Sequence, residues 1–119
     1  MTEKSGMVKN SVVLVPFPFD EFDAVKVRPA LCLTNEIGSL DHVIIAFISS
    51  KIPQEFLKSD LILSQKIQGF KKTGLMKDSV IRLHNLVTIP KSLIRRKLGV
   101  ISPATHSQIK EKLLNMFEY

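Results

Sequence analysis

Asp78-Ser79-Val80-Ile81-Arg82-Leu83-His84-Asn85-Leu86-Val87-Thr88-Ile89 is the longest strand-forming stretch of this chain. Simple alternation puts Val80, Arg82, His84 and Leu86 on one face and Ile81, Leu83, Asn85 and Val87 on the other. Pro90, which has no N–H to give a ladder, ends it. A strand of this length needs partners, and the flanking sequence supplies shorter ones: Val12–Val15, Pro29–Thr34, Val43–Ile48, Asp60–Ser64 and Arg96–Ile101. Val43–Ile48 is apolar on both faces, so both should be covered. Pro16 and Pro18 flank Phe17, so the first strand should end or lie on an edge there.

The connections read as loops. Asp20–Lys26 is charged and lacks glycine, Asn35–Asp41 contains Gly38, and Lys51–Ser59 contains Pro53. Gln65–Lys77 is a basic connection with Gly69 and Gly74 and room for a short helix or turn, and Lys91–Ile94 suits a helical turn. Ser102-Pro103 starts a helix, with proline in the first helical position. Thr105 with Gln108 offers an alternative capping box. Ile109, Leu113, Met116 and Phe117 then form one apolar stripe. Many short strands and one terminal helix predict a mainly β fold, a small antiparallel barrel or sheet with the helix packed on it.

At 119 residues the chain has the length of one domain, with residues 1–10 as a polar tail and 11–119 as the folded unit. The hydrophobic fraction of 45% and charged fraction of 24% are those of an ordinary globular protein. Cys32 is the lone cysteine, which excludes an intramolecular disulfide; within its apolar run it reads as a small buried side chain rather than a reactive thiol. The first ten residues hold no signal-type apolar stretch, and Val43–Ile48 is too short to span a bilayer, so a cytoplasmic protein without membrane association is expected. The net charge of +6 and pI near 9.6 favour a polyanionic partner, nucleic acid or an acidic protein.

Polar groups suited to phosphate lie at strand ends. Arg28 precedes one apolar run, and Ser49 and Ser50 follow another, with Lys26 and Lys51 beside them as further RNA contacts. If these strands meet the one bearing Arg82 and His84, a single patch holds two guanidinium groups, an imidazole and two hydroxyls. That set can cut RNA without a metal. The neighbouring 2′-OH attacks, a base removes its proton, an acid protonates the leaving 5′-oxygen, and cations stabilise the phosphorane. Positioned acids and bases contribute ~10²–10⁴ in rate. Arg28 suits charge stabilisation at the scissile phosphate, since a guanidinium pKa above ~12 makes it a poor acid. Ser49 suits a bond to a phosphate oxygen or to the 2′-OH, and Arg82 a second clamp. His84 is the candidate base, because an unperturbed imidazole titrates near ~6.5.

Each residue also has a plainer reading. Arg28 could serve as a surface ion-pair partner, Ser49 could bond its own backbone, and Arg82 and His84 could line a solvated sheet face. His42 and His106 are assigned no role, and Arg95-Arg96-Lys97 reads as a solvated basic face. No cofactor is expected. The three histidines are scattered without metal-ligand spacing, there is no G-x-S-x-G elbow, and Gly69 and Gly74 are isolated rather than part of a phosphate-binding loop.

Five segments in order resemble the MazF/PemK family of type II toxin–antitoxin ribonucleases: Val12-Val13-Leu14-Val15-Pro16-Phe17-Pro18-Phe19; Arg28-Pro29-Ala30-Leu31; Ile45-Ala46-Phe47-Ile48-Ser49-Ser50; Asp78-Ser79-Val80-Ile81-Arg82; and Thr88–Ile94 followed by Lys97-Leu98-Gly99. The resemblance spans most of residues 10–115. It implies an SH3-like barrel of the CcdB/MazF type, a homodimer, and metal-independent, sequence-specific cleavage of single-stranded RNA, which blocks translation and growth. It further implies 2′,3′-cyclic phosphate ends and an acidic antitoxin that wraps the toxin. The family's strand-entry arginine falls on Arg28, its Ser/Thr after the third strand on Ser49, and the arginine of some members' long strand on Arg82. Three positions depart from the pattern. Asn10-Ser11 stands for the usual Gly-Asp, the loop before Arg28 has no glycine, and His84 stands where some members carry aspartate. An alternative on the same barrel is a non-catalytic binding protein, a CcdB-like gyrase inhibitor or an inactive relative. A plain RNA-binding module needs only the basic charge, with weak stacking because the chain has no tryptophan.

Overall fold

The computed structural model describes residues 8–16 and 26–118. Six strands appear among them: β1 (Ser11–Pro16), β2 (Val27–Cys32), β3 (His42–Ser49), β4 (Asp60–Leu63), β5 (Ser79–Pro90) and β6 (Arg96–Val100). Helix α1 (Pro103–Met116) closes the chain, and 3-10 turns occupy Phe70–Thr73 and Lys91–Leu93. The strands form one antiparallel sheet in the order β4-β5-β3-β2-β1-β6. This is the mainly β, antiparallel fold with a C-terminal helix that the strand pattern predicts. No helix among the described residues is long and apolar enough to cross a membrane.

β2 begins at Val27, ahead of the expected Pro29, and ends at Cys32 rather than Thr34. Thr34 leaves the ladder by substituting its side chain for backbone: its Oγ1 accepts from Ile44 N at 3.1 Å. β1 pairs with β6 only as far as Leu14, so Pro16 sits where β2 alone pairs with it among the described residues, a position proline tolerates. Phe17, Pro18 and the charged loop as far as Val25 lie outside the described residues, as does most of the expected N-terminal tail.

Alternation along β1–β3 feeds two apolar layers. Val12, Leu31, Ala46 and Ile48 enter one cluster, which Phe70 and Ile109 of α1 cover. Val13, Val15, Ala30, Cys32, Val43 and Ile45 enter a second on the opposite face. Both faces of β3 are buried, as its continuous apolar run requires.

β5 departs from simple alternation. Ala46 pairs with Leu86 but Ile48 pairs with Ile81, so Phe47 alone stands opposite Arg82–Asn85. This bulge inserts an odd number of extra residues and reverses the phase of the strand beyond it. Ile81, Leu83 and Leu86 therefore share the first cluster, while Val87 and Ile89 join the second. The expected grouping of Leu86 with Arg82, and of Val87 with Ile81, does not hold.

Asn10 adopts φ 72, the left-handed region where glycine, or else asparagine, is tolerated. Its Oδ1 also accepts a bond from His106 Nδ1 at 3.0 Å, tying the sheet to α1, so His106 has a structural partner that the sequence did not suggest. Ser102 caps α1, accepting from Thr105 N at 3.1 Å. Thr105 is buried beneath that cap, so the alternative box with Gln108 is not used. Ile109 is buried, and Leu113 and Met116 pack on the first cluster. Phe117 lies past the helix end and is exposed, so it drops out of the expected stripe.

Gly99 lets β6 touch the turn at Phe70–Thr73, where any Cβ would collide with the Lys72 carbonyl and the Thr73 backbone. Gly99→Ala should therefore cost about 3 kcal/mol or more, the upper range of overpacking effects, read from urea unfolding. Burial raises the pKa of the Cys32 thiol above 9.0. The folded state then holds its proton where the unfolded chain releases it, so stability should fall as pH climbs past 9.0. Cys32→Ala should flatten that part of the slope.

Candidate functional site

An open groove of about 880 Å³ runs beside the C-terminal end of β3. Its walls come from four places. Arg28 and Pro29 enter from the start of β2, and Phe47–Lys51 from the end of β3 and beyond. Leu75–Lys77 precede β5, and Arg82 and His84–Val87 come from β5 itself. Ala30 pairs with Phe47 in the antiparallel β2–β3 ladder. The same register carried outward sets Arg28 across from Ser49. The bulge does the rest: four β5 residues with only Phe47 opposite them bow away from β3, and Arg82, His84 and Asn85 line the opening.

The groove gathers Arg28, Ser49, Ser50, Lys51, Arg82 and His84. Lys26 is exposed but does not line it. Lys77 adds a cation that sequence reading missed, and Phe47, Leu75, Met76 and Val87 add apolar surface. Ser49 Oγ accepts from Lys51 N at 3.0 Å, which shapes the turn after β3 and leaves the O–H to donate.

Behind the groove, two further residues act on its polar groups. Arg82 Nε donates to Asp60 Oδ1 at 2.7 Å. The Asp60 side chain is 0% exposed while that of Arg82 is 29% exposed, so the carboxylate is sealed and the guanidinium reaches the surface. Asp60 Oδ2 accepts from Leu57 N at 2.9 Å, so both carboxylate oxygens are engaged. One residue earlier, Ser59 Oγ lies 2.8 Å from His84 Nδ1. Neither Ser59 nor Asp60 stood out in the sequence. In the sequence Asp60 only opens the expected Asp60–Ser64 strand; its register opposite Arg82 shows its use. Among the described residues, no three His, Cys, Asp or Glu side chains gather as a metal site would require.

A smaller groove of about 360 Å³ lies between α1 and the start of β1, lined by Lys9, Asn10, Leu33, His106 and the apolar end of the helix.

The family model for the PemK-like, MazF-like toxin of type II toxin–antitoxin systems matches residues 9–117. The chain belongs to that family of toxins. Among solved structures, Mycobacterium tuberculosis toxin MazF-mt6 is 23% identical, with a TM-score of 0.68 over 90% of this chain and 95% of that one. A MazE–MazF structure from Deinococcus radiodurans is 15% identical, with a TM-score of 0.71 over 93% of this chain and 95% of that one. A mycobacterial endoribonuclease in complex with its cognate antitoxin is 14% identical, with a TM-score of 0.69 over 94% and 97%. At these identities the likeness is one of fold. No curated protein sequence matches the chain.

Truncating Arg82 strands a buried carboxylate. Arg82→Ala should destabilise the fold by about 2 kcal/mol or more, measured by chemical unfolding at neutral pH. Arg82→Ala paired with Asp60→Ala should recover part of that loss, because no unpaired charge then remains.

Proposed function

We propose that this toxin is a metal-independent endoribonuclease that cleaves single-stranded RNA in the groove between β2, β3 and β5. The observation that carries the reading is the convergence of Arg28, Ser49, Arg82 and His84 on one open, cationic cleft. Such a cleft attracts a phosphate backbone, and its apolar walls offer surface to splayed bases.

The roles follow from chemistry and position. His84 takes the proton of the 2′-OH as the O2′–P bond forms. The P–O5′ bond breaks, and the 5′-oxygen leaves with a proton from solvent. The product on one side is a 2′,3′-cyclic phosphate. Arg28 and Arg82 balance the charge that builds on the phosphorane, where fixed donors count most. The Ser49 hydroxyl donates to a nonbridging oxygen, and Ser50, Lys51 and Lys26 contact the strand on either side. The family supports a cytoplasmic homodimer neutralised by an acidic antitoxin. The net charge of +6 suits such a partner and should speed its association.

A second reading, a non-catalytic binder on the same fold, draws on the Ser49–Lys51 bond, which gives that hydroxyl a structural use.

Purified protein in excess EDTA should cut long single-stranded RNA at discrete sites and leave cyclic phosphate ends. Arg28→Ala should lower the rate ~10²–10³-fold, the usual loss for one transition-state donor. No cleavage by folded wild type across several RNAs would end this reading and favour the binder. Lys51→Ala should leave the chemical step intact but reduce the salt slope of RNA binding by about 0.7, the value for one single-strand phosphate contact.

A further inference from the structure

We propose that Ser59 and Asp60, adjacent residues at the mouth of β4, are positioning residues that hold His84 and Arg82 in their working orientations. This rests on the nuclease reading of the groove and concerns two residues that do not line it.

The geometry comes from the edge pairing of the sheet. Asp60 pairs with Arg82, and Leu83 N donates to Ser59 O at 3.0 Å, so the ladder runs one residue past the start of β4. Neighbouring residues of β4 thereby reach neighbouring polar residues of β5. Ser59 meets the His84 ring at Nδ1, 2.8 Å away. Asp60 meets the Arg82 guanidinium at Nε, 2.7 Å away. Both Ser59 and Asp60 are buried, whereas His84 is exposed.

The consequences are specific. In the orientation we propose, Nδ1–H donates to Ser59 Oγ, which holds the proton on that nitrogen and leaves the lone pair on Nε2. Nε2 is then the basic atom, on the far side of the ring from the buried serine. Ser59 cannot itself be the nucleophile of a Ser–His pair, since it lies behind the groove. Asp60 holds the guanidinium by its Nε edge, so the two terminal amino groups remain for a phosphate. The second carboxylate oxygen binds Leu57 N, which fixes the acid and keeps it from turning into the groove. The β5 bulge makes such props necessary. Arg82 and His84 sit where the β3 ladder is interrupted, so β4 is the element that steadies them.

The experiment compares wild type with Ser59→Ala, Ser59→Thr and Asp60→Asn in two readouts. The first is the pH dependence of RNA cleavage with kcat and KM separated. Ser59→Ala should lower kcat about tenfold with KM little changed and displace the acidic limb of the kcat profile, while Ser59→Thr should restore both. Asp60→Asn should raise KM or lower kcat without moving that limb. The second readout is NMR of the histidine ring nitrogens and the Arg82 Nε–H, which needs no RNA. Wild type should show His84 protonated at Nδ1 when neutral and a slowly exchanging Arg82 Nε–H. Ser59→Ala should mix the two tautomers, and Asp60→Asn should speed the Nε–H exchange. Unchanged tautomer and exchange in the variants would overturn the proposal, whatever the activity. The same holds for an unmoved kcat profile in an active, folded Ser59→Ala protein. If wild type cuts no RNA, the nuclease reading falls and the NMR result alone decides whether β4 orients these side chains.

Discussion

Everything at the groove depends on the mismatch between β3 and β5. A regular ladder there would hold Arg82 and His84 on one face of a flat strand closed against β3. Instead Phe47 has four β5 residues opposite it, and the strand bows outward. The bow opens the cleft, reverses the inside–outside phase of β5, and leaves its first half paired chiefly with β4. The apolar layers show how the fold accommodates this. Ile81 and Leu83 before the bulge and Leu86 after it all reach the same cluster, so burial is kept although periodicity is broken. A bulge of this kind costs ladder hydrogen bonds and is retained where it re-aims side chains.

Electrostatics give the cleft a direction. Arg28, Lys51, Lys77 and Arg82 face it, and Asp60, the carboxylate paired with Arg82, is sealed behind that guanidinium. Burying a charge is costly unless it is paired and hydrogen-bonded, and here both carboxylate oxygens are engaged. The acid serves the fold and the orientation of one guanidinium; it offsets much of the Arg82 charge, so the positive field that a polyanion would meet comes chiefly from the other cations of the cleft. The Ser49–Lys51 turn similarly shapes the far wall from within the chain, using a hydroxyl that still has a proton to donate.

Local chemistry made much of this legible in the sequence. β-branched runs, prolines at strand ends and Ser102-Pro103 reported the strands and the helix to within a few residues, because those signals act on their own backbone. Arg28 and Ser49 could be paired from sequence because each ends an apolar run and adjacent antiparallel strands bring such ends together. The phase of Leu86–Ile89 was not legible, since a bulge is a relation between two strands and leaves no mark on one. Ser59 and Asp60 were missed for the same reason: a serine closing a polar loop and an aspartate opening a short strand carry no sign of their use until the opposing residues are known. Asn10 departs from the glycine that the resemblance implies, yet it takes a left-handed φ that asparagine tolerates and accepts a bond from His106. Lys26 was grouped with Arg28 by proximity in sequence; it precedes β2 and does not line the groove.

The groove draws on positions 28, 49–51, 77, 82 and 84, with props at 59 and 60, so its parts are spread over half the chain. During synthesis, a nascent chain that has emerged only as far as β4 carries Arg28 and Ser49 but neither Arg82 nor His84. Because such long-range pairings form late in folding, the cleft assembles only after β5 has left the ribosome and docked between β3 and β4. Unfinished chains therefore lack the assembled cleft, and a partner that traps β5 before it docks would keep the cleft from forming without touching it.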